Sequence, residues 1–391
     1  MFEILKKVAR TKPLSPSKIS VINSCPLRYL FETENYPFVN PPSNIYAITG
    51  TAIHKIIEDN LSNPSISGAE IKKQFLSAID RLILNNKRAP LICWVYEKFG
   101  LGGTITNERV ISSVQQIKRL LDKYRKDKSS TRSDVNLSSQ KDEFSALGSE
   151  RWFELAKFEL AGKIDLSYLD DEGVIHVIDF KSGKVIDDEG LPKEEYLLQI
   201  GLYGLMVEDS TSHSNLLLEL IGPHISWSGC LDESLRDRVV DLITYAKNKL
   251  PLNKEIDASE ASITGDHCLS CRSRFACGKY VNALKERAYG EENAICAPCD
   301  VICVVKKTSA RGDLIDLIVS PMGGITCSIM GLPRTLYPEF KEGDLIAGYF
   351  LGILDIENRC NFPANFYVFR DEAPRMSSFE SMVALVDARS K

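Results

Sequence analysis

Gly162-Lys163-Ile164-Asp165-Leu166, a hairpin, and then Val177-Ile178-Asp179-Phe180-Lys181-Ser182-Gly183-Lys184 is the stretch whose reading decides the fold. Its apolar runs predict strands, and Asp170-Asp171-Glu172-Gly173 predicts the turn that pairs them antiparallel. Asp165 and Asp179 then come together at one end of the sheet. Lys181 follows Asp179 on the same face, because strand side chains alternate with period two. Two carboxylates suit a hard cation such as Mg²⁺ or Mn²⁺. Such a cation polarises a phosphate and lowers the pKa of water, and a neighbouring lysine offsets developing charge. An Asp-x-Lys triplet alone is a chance-level signal. Its weight comes from placement, since Asp179 ends the apolar run Val174, Ile175, Val177, Ile178.

Outward from this stretch, Arg151 to Leu160, Lys163 to Leu169 and Val174 to Phe180 read as three consecutive strands. Leu191 to Val207 reads as helix, Leu216 to Ile221 as strand and Leu231 to Leu250 as an amphipathic helix. Upstream, Ser17 is a candidate N-cap for a helix through Leu30. Pro37 to Ser43 reads as turn, and a helix is expected to start at Gly50, with others near 68–84 and 107–127. Lys126 to Gln140, rich in Ser, Lys and Asp, reads as a loop or flap. The order of elements predicts an α/β core with a mixed central sheet flanked by helices.

Beyond Ala294 the pattern changes. Val301 to Lys306, Leu314 to Val319, Gly324 to Met330, Leu345 to Leu351 and Asn365 to Phe369 are five short strand-like runs. They predict a small β-barrel, with an oligonucleotide-binding (OB) barrel as one candidate. The expected division is therefore a domain over residues 1–290 and a β-rich one over 294–391.

The 391 residues carry a formal net charge of −5 and are 44% hydrophobic, so the chain can bury a core and is not a basic coat for nucleic acid. No apolar run reaches the ~18 residues of a membrane span, and Met1 to Lys12 lacks the apolar segment of a secretory signal. A reduced, cytoplasmic setting without membrane attachment is expected. Among the 11 cysteines, Cys268-x₂-Cys271-x₅-Cys277 has metal-ligand spacing. Its fourth ligand is either the adjacent His267, as in a zinc site, or a distant cysteine. Cys296, Cys299 and Cys303 could form a second site, although Cys303 falls in an apolar run. Cys93, Cys230, Cys327 and Cys360 read as ordinary thiols.

The hairpin residues Gly162 to Asp165 and Ile178 to Lys184 resemble the nuclease signature of the RecB and AddB family, of the PD-(D/E)XK kind, and are similar to the RecB-like nucleases of CRISPR adaptation. Ile164 stands where a proline often precedes the first Asp. Gly50-Thr51-Ala52-Ile53-His54 resembles the family's G-T-x-x-H helix. Gln199-Ile200-Gly201-Leu202-Tyr203 resembles its Q-x-x-x-Y helix, and Glu150 its acidic residue on the preceding strand, with Glu143 and Glu154 as competitors. The resemblance implies a metal site of His54, Asp165 and Asp179, with Lys181, Gln199 and Tyr203 completing the catalytic group. The segment Ser15 to Tyr29, with Cys25, resembles the early motif of the iron–sulfur members. This implies a [4Fe–4S] cluster on Cys25, Cys268, Cys271 and Cys277, with zinc as the alternative. Such a cluster would staple the chain across roughly 240 residues.

The function implied is a metal-dependent deoxyribonuclease, exonuclease rather than endonuclease, on single-stranded or end-bearing DNA, in repair, recombination or defence against foreign DNA. The rival is a catalytically silent DNA-binding or scaffolding subunit. Arg28, Lys184 and Arg272 are candidate nucleic-acid contacts, with Lys55 and Arg274 beside them. Trp94, Tyr96 and Phe99 could stack on bases, but read better as core. There is no phosphate-cradling G-x-x-x-x-G-K-[ST] loop, so any helicase motor would be a separate partner chain.

Overall fold

The computed structural model describes residues 5–34, 36, 45–61, 66–85, 90–129, 148–288, 300–321, 327–337, 339–349, 352–353, 365–367 and 382–385. After strand β1 (Lys7–Ala9), two short helices, α1 (Val21–Ser24) and α2 (Pro26–Thr33), replace the single helix expected from Ser17. The break has a local cause. Pro26 bars the residue before it from the helical region, and Cys25 is extended at φ −161°, ψ 105°. Pro26 then starts α2, where a missing N–H costs nothing.

Helix α3 (Ile45–Asn60) begins before Gly50, so that glycine lies within the helix and not at its start. Helix α4 (Gly68–Leu84) follows, capped by Ser67, whose side chain accepts from the Glu70 N–H. Next come α5 (Pro90–Phe99), α6 (Leu101–Thr104) and α7 (Asn107–Ser129). The start of the expected flap at 126–140 continues α7; residues 130–140, like the expected turn at 37–43, lie outside the described residues.

The central sheet comes next: β2 (Gly148–Leu155), β3 (Leu160–Leu169) and β4 (Ile175–Phe180), helix α8 (Glu194–Thr211), then β5 (Leu216–Ile221) and β6 (Ser226–Gly229). Its order is β2-β3-β4-β5-β6, parallel between β4 and β5 and antiparallel elsewhere. Helix α8 is the crossover that a parallel pair requires. It lies so close to the sheet that a Cβ on Gly204 would stand 2.9 Å from the Leu218 side chain. Helix α9 (Glu233–Lys249) covers α8, and β7 (Glu255–Asp257) pairs with β1. Three short helices, α10 (Ala258–Ala261), α11 (His267–Ser270) and α12 (Gly278–Ala288), complete this part.

Each face of the sheet has its own core. Val177, Leu218 and Leu220 pack with α1, α2, α8 and α9. Leu166, Ile178, Phe180 and Ile221 pack with α3, α4, α5 and α7. Trp94 and Tyr96 are partly buried against this second core, as the core reading of that aromatic group expects, while Phe99, which meets Trp94 edge-on, is exposed.

The C-terminal sheet comprises β8 (Val301–Arg311), β9 (Leu314–Pro321), β10 (Cys327–Pro333), β11 (Leu345–Tyr349), β12 (Gly352–Ile353), β13 (Asn365–Tyr367) and β14 (Met382–Leu385). Its order is β12-β13-β10-β9-β8-β11-β14. Among the described residues seven strands stand where five were expected, and this order does not establish the OB barrel. The expected boundary at 290–294 lies outside the described residues, and Val301, Cys303 and Val305 share a core with the helices α3 to α7. Buried Cys303 belongs to that core, as its apolar run implied; Cys296 and Cys299 lie outside the described residues.

Asp300 ties the two parts together. Arg274 grips it with Nε–Oδ2 at 2.5 Å and Nη2–Oδ1 at 2.8 Å, and the Tyr280 hydroxyl donates at 2.7 Å. Arg274, a candidate DNA contact in the sequence, is therefore a buried structural residue. Its guanidinium is committed to Asp300 and to the carbonyls of Leu269 and Cys271. Among the described residues no helix is long and apolar enough to cross a membrane.

Removing one partner of a buried ion pair leaves the other charge uncompensated, at a cost of roughly 3–5 kcal/mol. Asp300→Ala is expected to lower the unfolding free energy by about that amount in urea titrations.

Candidate active site

The pairing of β3 with β4 runs from Leu169↔Ile175 to Leu166↔Ile178. The ladder ends there, one residue short of Asp165 and Asp179, and the Phe180 N–H is donated to the Asp165 carboxylate at 2.7 Å. Ile164 and Leu166, two residues apart, fall in the two different cores, so the alternation of faces shifts at Asp165. Gly162 allows close approach: a Cβ there would lie 2.8 Å from the Pro16 ring, with Tyr203 3.5 Å away.

Asp179 is buried, with 3% of its surface exposed. Its Oδ1 accepts from Gln199 Nε2 at 3.0 Å. Its Oδ2 has Lys181 Nζ 2.7 Å away but accepts no well-aligned hydrogen bond. Burial pushes the Asp179 carboxyl up to about 6, helped by the charge of Asp165 and opposed by Lys181. Lys181 also donates to Gln199 Oε1 at 2.7 Å and lies 4.6 Å over the Tyr196 ring. Gln199 Nε2 reaches the Tyr203 hydroxyl at 3.2 Å, and burial raises the Tyr203 pKa, keeping it a neutral hydroxyl. One turn of α8 thus presents Gln199 and Tyr203 on the face turned to Asp179.

His54, on α3, closes the other side with Nδ1 3.3 Å from Asp165 Oδ2. Burial pulls its pKa down, but the hydrogen bond and charge of Asp165, with Asp179 behind, outweigh it and leave the pKa raised. Among the described residues no three His, Cys, Asp or Glu side chains are gathered tightly enough to hold one metal ion. Lys181 and His54 sit against the carboxylates. The donor chemistry nevertheless fits a hard divalent cation: two carboxylates, an imidazole and a buried carboxylate oxygen without an aligned donor.

Glu150 falls in a gap of the β2–β3 register, between Ser149↔Leu166 and Arg151↔Ile164, where its backbone turns left-handed at φ 52° and its carboxylate pairs with Lys163. Two contributors escaped sequence reasoning. Gln116, on α7, donates to the Lys181 carbonyl at 3.2 Å. Tyr196 backs the Lys181 ammonium; its signal was its place three residues before Gln199 on the same helix face.

The four cysteines implied by the resemblance lie near enough to influence one another electrostatically, but among the described residues no three of them are gathered as a metal site. Cys25 sits at the α1–α2 break, Cys268 in α11, and Cys271 and Cys277 at the ends of short helical turns. Burial pushes the Cys271 thiol up to about 12, against the pull of Arg28, with Cys25 and Cys277 adding to the rise. Cys277 is raised by burial and by Cys25 and Cys268. Arg28 is half-buried, bonds Glu32 at 2.8 Å and faces these thiols, so it is not turned to an open groove. Arg272 is half-buried beside Cys271, and exposed Lys184 pairs with Asp188 at 2.6 Å. Lys55, also exposed, pairs with Glu58 and Asp59.

A family model described as "PD-(D/E)XK nuclease superfamily" matches residues 13–278, well over half of the chain. That span runs from before Cys25 to just past Cys277 and leaves the C-terminal sheet outside. No curated protein matches the chain. Among solved structures, one titled "Crystal structure of SSO0001" aligns at 15% identity over 58% of this chain and 94% of its own, with a TM-score of 0.23, too low to constrain the fold.

A carboxyl whose folded pKa is raised stabilises the fold only while protonated. Without added divalent cation, stability is expected to fall as pH rises from about 4 through about 6. Asp179→Asn should flatten this dependence in thermal melts compared at pH 5 and 7.5.

Proposed function

We propose, for a chain that belongs to the PD-(D/E)XK nuclease superfamily, that it is a Mg²⁺- or Mn²⁺-dependent deoxyribonuclease acting on single-stranded or end-bearing DNA. The observation that carries this is the buried Asp179 carboxylate, set between Lys181 and Gln199 and opposite Asp165 and His54. A fixed ammonium and a neutral amide beside two carboxylates serve phosphodiester hydrolysis better than they serve stability.

His54, Asp165 and Asp179 would hold the cation. When bound, Mg²⁺ or Mn²⁺ supplies polarisation of the phosphate and lowers the pKa of water. The chain's own residues do the rest. The Lys181 ammonium, held by Gln199 and backed by Tyr196, presents positive charge where the phosphate becomes more negative. Gln199 fixes Asp179 and Lys181 relative to each other, and the Tyr203 hydroxyl fixes Gln199. These contacts preorganise the centre, so little rearrangement is needed as the reaction proceeds.

The four cysteines carry a second part of the reading, a [4Fe–4S] cluster that holds the α1–α2 break to α11 and the turn at Cys277. Electrostatic coupling among their thiols, burial and the Arg28 charge beside them support it, although among the described residues no three of them are gathered tightly enough to hold a metal. Exonucleolytic action, a separate helicase partner and a role in repair, recombination or defence rest on the resemblance alone.

Asp179→Ala should cut Mn²⁺-dependent cleavage of end-labelled DNA at least about 10³-fold, the several kcal/mol that such a centre supplies. Equal cleavage by the variant would remove this mechanism. Absorption in the iron–sulfur region should be lost in Cys271→Ser. Stoichiometric zinc in the unmodified protein would instead contradict the cluster.

A further inference from the structure

We propose that the cavity between α3 and α7 is a subsite for single-stranded DNA next to the cleavage centre, with a backbone phosphate on Arg109 and Arg119 and a base stacked on Tyr46. This rests on the nuclease reading and names how the strand is held.

The cavity adjoins the catalytic centre through shared elements. On α3, Tyr46, Gly50 and His54 recur every four residues along one side, so Tyr46 lies two turns, about 12 Å, from His54. That is a span of a few nucleotides. On α7, Arg109, Ser113 and Gln116 follow the same helical spacing, and Gln116 holds the Lys181 carbonyl. Ser182, the residue after Lys181, lines the cavity as well. The cavity wall and the chain segment carrying Asp179 and Lys181 are therefore in direct contact.

Its chemistry suits an anion. The volume is about 260 Å³, and Arg109, Arg119 and His224 line it with serine, threonine and glutamine side chains, with no carboxylate among the described lining residues. That is notable in a chain of net charge −5. The Arg109 guanidinium lies 3.8 Å over the Tyr46 ring, and its Nε is shielded from solvent without a hydrogen-bond partner. Burial lowers the Arg109 pKa, against the opposing effect of Tyr46. Arg119 Nη1 lies 3.1 Å from His224 Nδ1, a contact that leaves its charge unneutralised.

The aromatic member selects the form of the substrate. Tyr46 is 53% exposed, although large apolar side chains in α3 are otherwise mostly buried. Stacking on an aromatic ring needs an unpaired, unstacked base. Bases within a duplex are already stacked, so Tyr46 favours a single strand.

The test is fluorescence anisotropy of a labelled oligothymidylate and a matched duplex, in chelator so that nothing is cut. Arg109→Ala, Arg119→Ala and Tyr46→Ala should each weaken single-strand binding about tenfold, with unchanged melting. Duplex binding should change less, and Tyr46→Phe should keep wild-type affinity. Each arginine removed should lower the salt slope by about 0.7. Wild-type affinity in all three alanine variants, equal losses on duplex and single strand, or no single-strand binding by the unmodified protein would overturn the subsite. Because binding is read without a divalent cation, a failed Asp179→Ala cleavage test would sink the nuclease reading while leaving this result standing.

Discussion

A carboxylate buried where a sheet opens is the constraint on which the rest of the structure depends. Ionised, Asp179 cannot stay out of water without compensation. The chain supplies Lys181 two residues on, Gln199 from the crossover helix α8, and Asp165 with His54 across the gap. None of these can be in place unless β4 is central, α8 lies tight on the sheet and α3 covers the opposite face. The arrangement around Asp179 and the core are thus the same problem solved once. Burial raises the Asp179 pKa even with Lys181 beside it, so the compensation within the chain is incomplete.

Much of this arrangement was legible in the sequence. The apolar runs ending at Asp179 and the four-residue turn at Asp170 to Gly173 led to the hairpin register, and Leu216–Ile221 was read to the residue. The i, i+4 spacing of Gln199 and Tyr203 correctly placed both on one face. What escaped was set by contacts distant in sequence. Arg274 read as a surface cation because nothing local reveals Asp300, 26 residues on, as its partner. Glu150 falls in a gap of the β2–β3 register, where a left-handed backbone and Lys163 take it out of the group. The α1–α2 break was written in Pro26, yet the helical pattern from Ser17 to Leu30 outweighed it. Arg109 and Arg119 were hidden because a basic residue on a helix is usually solvated surface, and only the packing of α3 against α7 makes a cavity of them.

The C-terminal sheet is joined to the matched nuclease region by buried contacts. Asp300, at the start of β8, receives Arg274 and Tyr280 from the segment that carries Cys271 and Cys277. The sheet in turn closes the core that supports α3, and with it His54 and Tyr46.

The central claim is that the protein completes the Asp179 centre with a divalent cation. Titration of Mn²⁺ at pH 7.5, read by the electron paramagnetic resonance signal of the free ion, tests it most directly. The account predicts saturable Mn²⁺ binding that is lost in Asp179→Ala. Identical binding by the wild type and that variant would contradict it.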